Sequence, residues 1–313
     1  MKLITGIRLA VIALALCALA TPAAAQSRFE CSAMQSKLLK RPVPYCVMLP
    51  PSFDTDKTRK YPVLYYLHGL GDNEQSLVNG GGWELYEKLM RENSPSKPKI
   101  GEFLIVTPSG FRSFYVNARS GKFSYEDFFF EEFMPAIEKR YRAVGTRSTR
   151  GVMGVSMGGY GALRYAFAHP TLFASVSAHM PALSEELPTS MSSPQEQRML
   201  QSVFGTAEKG SPIDLAYYKR ISPFTAAEQA PMAELKRLAI YFDCGANDDY
   251  GFDIGSQALH KELLRRGIVH EFHIYPGGHN WNYVMQHFGA SLEFHSNAFH
   301  SKILIPKNHA AIH

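Results

Sequence analysis

Apart from an apolar run near its start, the sequence has no hydrophobic segment long enough to cross a bilayer, which needs about 20 residues. A membrane anchor later in the chain is therefore excluded. Basic residues are not clustered or interleaved with aromatics, and the formal net charge is only +5, with Lys2 and Arg8 in the apolar leader supplying two of those charges. That bias is too weak for a nucleic-acid partner. None of the 12 histidines stands in a metal-ligand spacing such as H-E-x-x-H, so neither a metal nor a cofactor is expected. Internal repeats are absent as well. Cysteine is scarce, with four in 313 residues, and a dense disulfide scaffold is excluded with it.

What is present begins with Lys2, Arg8, the run Leu9 to Leu19, and then Thr21-Pro22-Ala23-Ala24-Ala25-Gln26. A positive start, a short apolar stretch and a small-x-small site predict a signal peptide, residues 1–25, cleaved after Ala25. The expected location is secreted or periplasmic, with no membrane anchor after cleavage. Cys17 follows Leu16, where a lipoprotein signal has a small residue, so lipidation is not expected. Residues 26–313 suffice for one domain with a full core. Cys31 and Cys46 flank Leu38-Leu39-Lys40-Arg41, a candidate hairpin turn, and a cross-strand disulfide suits an oxidising compartment. Cys244 reads as a small buried residue.

Apolar runs recur at Val43 to Leu49, Tyr61 to Leu67, Phe103 to Val106, Gly151 to Val155, Phe173 to Ala178, Leu238 to Phe242 and Glu271 to Tyr275. Helical stretches separate them at Trp83 to Arg91, Ser124 to Tyr141, Met157 to His169 and Phe252 to Arg266. This alternation predicts an α/β fold with a mainly parallel central sheet flanked by helices. Phe129, Phe133, Ile137 and Tyr141 repeat every four residues and should face the sheet. Residues 184–232 break the rhythm with Pro188, Ser190, Ser192, Ser193 and Pro194, and read as a small lid-like insertion or substrate wall. Gly80-Gly81-Gly82 reads as a flexible loop near the site, and the tail after Pro306 as frayed.

Chemistry enters at Gly154-Val155-Ser156-Met157-Gly158, a G-x-S-x-G between a strand and a helix. Such an elbow holds a serine at the sharpest point of the turn, its hydroxyl clear of the main chain and the helix N-terminus aimed at the reacting oxygen. A serine hydroxyl needs a base to take its proton and an acid to orient that base. His279 follows the last apolar run in Tyr275-Pro276-Gly277-Gly278-His279-Asn280-Trp281. The acid should leave the preceding strand, where Asp243, Asp248 and Asp249 stand. Asp248 ranks first because a loop beyond Gly245 can reach the histidine, Asp249 second, and Asp243 is expected to cap the turn. Oxyanion donors are expected at the Met157 amide and at Leu70, in His68-Gly69-Leu70-Gly71-Asp72, with His68 bracing that loop. Trp83, Phe111, Tyr115 and Trp281 are candidate walls of an aromatic substrate pocket.

Taken together, Tyr65-Tyr66-Leu67-His68-Gly69-Leu70-Gly71, Gly154 to Ala162, Asp243 to Asp248 and Gly278-His279-Asn280-Trp281 resemble the blocks of the esterase family of α/β-hydrolases. That family includes S-formylglutathione hydrolases (esterase D), feruloyl esterases, enterochelin esterases and the antigen 85 mycolyltransferases. The resemblance covers roughly Phe29 to Phe294. It implies an α/β-hydrolase fold, a triad of Ser156, Asp248 and His279, and an oxyanion hole from the amides of Leu70 and Met157. Export argues against a cytosolic thioester role, and the lack of a long apolar tunnel segment against mycolyl transfer. The expected activity is a serine carboxylesterase acting on small-molecule or carbohydrate esters, feruloyl or acetyl esters among them. Transfer of the acyl group to a sugar or alcohol is the alternative, and a non-catalytic binding module of the same fold is a third. A peptidase is weaker still, because no propeller or large cap accompanies the domain.

Overall fold

The computed structural model describes residues 27–91, 99–187, 194–206, 208 and 212–300. The expected signal peptide, residues 1–25, lies outside them, as do Pro188, Ser190, Ser192, Ser193 and the residues after Pro306. Eight strands form one sheet: β1 (Arg28–Ser36), β2 (Arg41–Leu49), β3 (Val63–Leu67), β4 (Leu104–Pro108), β5 (Arg150–Val155), β6 (Ser175–His179), β7 (Ala239–Gly245) and β8 (Glu271–Tyr275). Their order is β1-β2-β4-β3-β5-β6-β7-β8. The pairs β1–β2 and β2–β4 are antiparallel and every other pair is parallel. The helices of seven residues or more are α1 (Gly82–Arg91), α2 (Met134–Arg140), α3 (Met157–Ala168), α4 (Pro194–Phe204), α5 (Leu215–Ile221), α6 (Pro223–Gln229), α7 (Phe252–Arg265) and α8 (Trp281–His300).

Period-two alternation sends successive side chains to opposite layers, and both layers are apolar because helices cover both faces. From β3, Val63, Tyr65 and Leu67 enter a cluster with Phe129, Phe133 and Ile137, while Leu64 and Tyr66 enter a second with Tyr86, Val284 and Phe288. The expected aromatic stripe is thus core. A π-helical turn at Phe128–Phe133 precedes α2 and buries Phe128 as well as Phe129. Helix α8 is absent from the expected elements. Its Val284, Phe288 and Leu292 do recur every four residues and are buried, but polar and histidine residues between them hide the period. Among the described residues no helix is long and apolar enough to cross a membrane.

Cys31 and Cys46 are direct partners in the β1–β2 register and are joined by a disulfide. Closing a loop with a sequence separation of 15 is worth about 3 kcal/mol in the chain-entropy picture. Reduction should therefore lower the melting temperature, and Cys31→Ser should lower it by a similar amount without further response to reductant. An unchanged melting temperature, or two free thiols in a non-reduced digest, would contradict this.

The segment 184–232 holds α4, α5 and α6. Met199, Leu200, Val203 and Phe204 of α4 pack with Tyr217, Tyr218 and Ile221 of α5 around Val116 and Tyr160. Arg164 on α3 donates to the Ile221 carbonyl at 2.9 Å, and α6 packs along α3. The insertion is fastened to the helix that follows Ser156.

Candidate active site

Strand β5 ends at Val155 and α3 begins at Met157, which leaves Ser156 as the only residue of the turn. Its φ of 55° and ψ of −116° lie outside the ordinary regions for an L-residue, a cost borne where the surroundings determine the backbone. The Ser156 amide donates to the His179 carbonyl at 3.0 Å. Gly158 explains the motif sterically: a Cβ there would stand 1.9 Å from the Leu67 carbonyl oxygen, and one on Gly154 would stand 2.1 Å from the Gly158 carbonyl oxygen. Both glycines let backbone approach backbone.

Three loops converge on this serine. The Ser156 hydroxyl donates to His279 Nε2 at 2.9 Å, and His279 Nδ1 donates to Asp248 Oδ2 at 2.7 Å. The other carboxylate oxygen, Oδ1, accepts from the amides of Tyr250 and Phe252 at 2.9 and 3.3 Å. Burial alone would raise the Asp248 carboxyl. The hydrogen bond and charge of His279, with the two amides, outweigh that and hold it below the usual carboxylate value. Asp249 stands beside the histidine differently: its Oδ2 accepts the His279 main-chain N–H at 3.1 Å. The Cys244 thiol, pushed up by burial, lies 3.5 Å from Asp248 Oδ2.

The loop after β3 lies against the elbow, since a Cβ on Gly69 would be 3.7 Å from the Ser156 Cβ. His68 is buried and shapes it. Its Nε2 accepts the Gly110 amide at 2.8 Å, which places the ring proton on Nδ1, donated to the Gly69 carbonyl at 2.8 Å. Burial lowers the His68 pKa, in keeping with this neutral form. Among the described residues neither the Leu70 nor the Met157 amide donates to another main-chain group outside the helices and strands.

Of the four aromatics expected around the substrate, the structure removes Tyr115. Tyr115 is fully buried, lies over Gly110 and Gly161, and donates from its hydroxyl to the His68 carbonyl at 3.0 Å. It braces the loop from behind and offers no surface to a substrate. Trp83 sets its ring edge-on to Phe29 at 5.6 Å, and Phe111 lies edge-on to Phe123 with Arg41 above it. Trp281 donates from Nε1 to the Gly80 carbonyl at 2.7 Å and covers Gly80 so closely that a Cβ there would be 2.5 Å from the ring. Gly80 is consequently held under the indole, and Gly82 opens α1.

Asp243 also differs from the sequence expectation of a turn cap. It is fully buried and accepts from His179 Nδ1 at 2.9 Å, Tyr241 Oη at 2.8 Å and Tyr283 Oη at 3.0 Å. His179 Nε2 meets the Ser291 hydroxyl at 2.9 Å. Burial alone would raise the Asp243 carboxyl, but the His179 interaction and the two phenols hold it low. Next to this network His295 bridges Ser175 and Ser177 at 2.7 and 2.8 Å. The sequence carries a signal for this polar seam: Ser175, Ser177 and His179 alternate along one strand, and Ser291 and His295 are four apart on one helix.

Burial pushes His295 down to about 3, so it stays neutral in the fold while an unfolded histidine takes up a proton near its ordinary value of about 6.5. The unfolded chain then binds more protons between those values, and stability must fall as pH drops through that window. On going from pH 7 to pH 4.5, wild type should lose roughly 2–3 kcal/mol more than His295→Gln, read as urea midpoints. Parallel pH slopes for the two proteins would remove His295 from the account.

Residues 36–295 match the family described as Putative esterase. The chain belongs to that family. Esterase Rv1288 of Mycobacterium tuberculosis is 29% identical over 248 residues, covering 74% of this chain and 51% of that protein. The chain thus spans about half the length of the curated relatives it matches. Among solved structures, a ferulic acid esterase superposes with a TM-score of 0.74 at 26% identity, covering 88% of this chain and 99% of its own. An S-formylglutathione hydrolase of Staphylococcus aureus gives 0.65 at 18% identity, with 88% and 99% covered. The strand order and these superpositions make this esterase-family chain an α/β-hydrolase.

Proposed function

We propose that the protein is an exported serine carboxylesterase that hydrolyses carboxylic esters of carbohydrates through an acyl-enzyme, with feruloyl and acetyl esters as the substrate class. The observation that carries this reading is the continuous chain Ser156 Oγ, His279 Nε2, His279 Nδ1, Asp248 Oδ2 at 2.9 and 2.7 Å. His279 takes the Ser156 proton as Oγ attacks the ester carbonyl. The amides of Met157 and Leu70 receive the oxyanion, and His279 returns the proton to the departing alcohol. Water then repeats the sequence on the acyl-enzyme and releases the acid. Asp248, ionised and hydrogen-bonded, keeps the Nδ1 proton in place and stabilises the imidazolium between steps.

The ferulic acid esterase at 26% identity supports the choice of acyl group. The Cys31–Cys46 bridge supports an oxidising compartment and hence export. Segment 184–232, fastened to α3, serves in this reading as a wall beside the elbow. The test is a panel of p-nitrophenyl esters of increasing chain length beside methyl ferulate and acetylated xylan, with a fluorophosphonate as covalent probe. Labelling at Ser156 and turnover of methyl ferulate or acetylated xylan are expected. No labelling of Ser156 would refute the nucleophile, and turnover confined to long-chain p-nitrophenyl esters would refute the carbohydrate-ester assignment.

A further inference from the structure

We infer that the loop between β7 and α7 builds a subsite for the alcohol portion of the ester, with Tyr250 as the platform on which a sugar ring stacks. The inference rests on the reading of His279 as the proton carrier of acyl transfer. The imidazole that removes the Ser156 proton must deliver it to the leaving oxygen, so the alcohol sits within hydrogen-bond reach of His279 Nε2. Whatever surrounds His279 on its open side therefore surrounds the alcohol.

Tyr250 is an exposed aromatic residue packed against His279. Its ring centroid is 4.8 Å from that of His279, nearly perpendicular at 80°, yet the residue is 62% exposed. The ring is held in position before any ligand arrives. Its amide donates to Asp248 Oδ1 at 2.9 Å, and Gly251, at a φ of 71°, turns the chain directly after it. Phe252 lies nearly parallel to it at 5.5 Å and is itself edge-on to His279 at 5.5 Å. Three rings thus brace one another, and little ordering cost remains for binding. Ile254, 70% exposed, adds apolar surface beside Gly251.

Polar groups gather beside His279 as well. Around Gly278, immediately before His279, a Cβ would stand 3.2 Å from the Asn247 carbonyl, 3.4 Å from Asp249 Oδ2 and 3.7 Å from Asn280 Nδ2. Asn247, Asp249 and Asn280 are all exposed. An electron-rich ring face attracts the weakly positive C–H groups on one side of a sugar, and the carbonyl, carboxylate and amide around Gly278 match hydroxyls at the edge of the sugar. A simple alkyl alcohol uses the ring alone and leaves those groups to water.

The experiment compares a sugar ester and the methyl ester of the same acid, feruloylated arabinose and methyl ferulate, in wild type, Tyr250→Ala and Tyr250→Phe. Wild type should prefer the sugar ester by at least about tenfold in kcat/KM. Tyr250→Ala should lower kcat/KM for the sugar ester at least about tenfold more than for the methyl ester, and Tyr250→Phe should restore the preference, since it keeps the ring. Equal losses on both esters would show that Tyr250 serves only His279, and an undiminished preference in Tyr250→Ala would show that no stacking occurs; either overturns the subsite. Ser156→Ala, run in parallel, tests the underlying chemistry separately: activity surviving there would refute the acyl-enzyme reading itself.

Discussion

Ser156→Ala is expected to lower ester hydrolysis by about 10^4-fold or more, with little change in melting temperature. The hydroxyl makes one hydrogen bond, to His279 Nε2, and the turn that strains the backbone is held by main-chain contacts that alanine keeps: the Ser156 amide on the His179 carbonyl, and the Ser156 carbonyl accepting from the Tyr160 and Ala182 amides. Removing Oγ therefore deletes the nucleophile and leaves the elbow. His279→Ala should be about as damaging. Because nucleophile and base act as a unit, the double variant should be little worse than either single one. The measurement is kcat/KM on p-nitrophenyl acetate beside thermal denaturation of each variant. A tenth of wild-type activity in Ser156→Ala, or multiplicative losses in the double variant, would overturn the assignment.

Asp248→Asn should cost on the order of 10^3 to 10^4 in kcat, for a reason the hydrogen bonds make explicit. One carboxylate oxygen of Asp248 already accepts two amides, those of Tyr250 and Phe252. An asparagine keeps its single oxygen on those amides and turns its NH2 towards His279 Nδ1. The imidazole proton then moves to Nε2 and points at Ser156, so the lone pair that should receive the serine proton is gone. Asp249→Asn is different: its Oδ2 accepts only the His279 main-chain N–H, which an amide oxygen still accepts, and the loss should stay within about tenfold. Steady-state kinetics of the two variants decide the ranking. If Asp249→Asn were the more damaging, the acid role would pass to it.

Much of this site was legible in the sequence because its parts are local. An elbow needs small residues at fixed offsets from its serine, and Gly154 and Gly158 show why: each faces a backbone oxygen within about 2 Å of where a Cβ would be. The order of nucleophile, acid and base follows the order of β5, β7 and β8, and the hairpin between Cys31 and Cys46 is short enough to read from its turn. Helix α8 was missed because its buried positions are diluted by polar ones that face the sheet seam.

Other assignments were beyond any linear reading. Tyr115 looks like a pocket wall in a list of aromatics, yet it is sealed behind the loop of His68. Asp243 looks like a strand-end cap, yet it meets a histidine 64 residues away and a tyrosine 40 residues away. Periodicity states that a residue is buried; it does not state against what.

By itself, then, the sequence singled out Ser156, the histidine after the last strand and the α/β alternation, since each depends on spacing within one turn or one strand–helix unit, and it left the pairing of Cys31 with Cys46 open because spacing does not fix register. Only the tertiary structure decided which of two adjacent aspartates points at Nδ1, which aromatics reach the surface beside His279, and which side chains hydrogen-bond Asp243. Those outcomes depend on the sheet order, which sets β7 between β6 and β8 and presses α8 across them. Two neighbouring aspartates differ by one residue along the chain, but the bend of the loop turns one carboxylate to the imidazole and the other to its main chain.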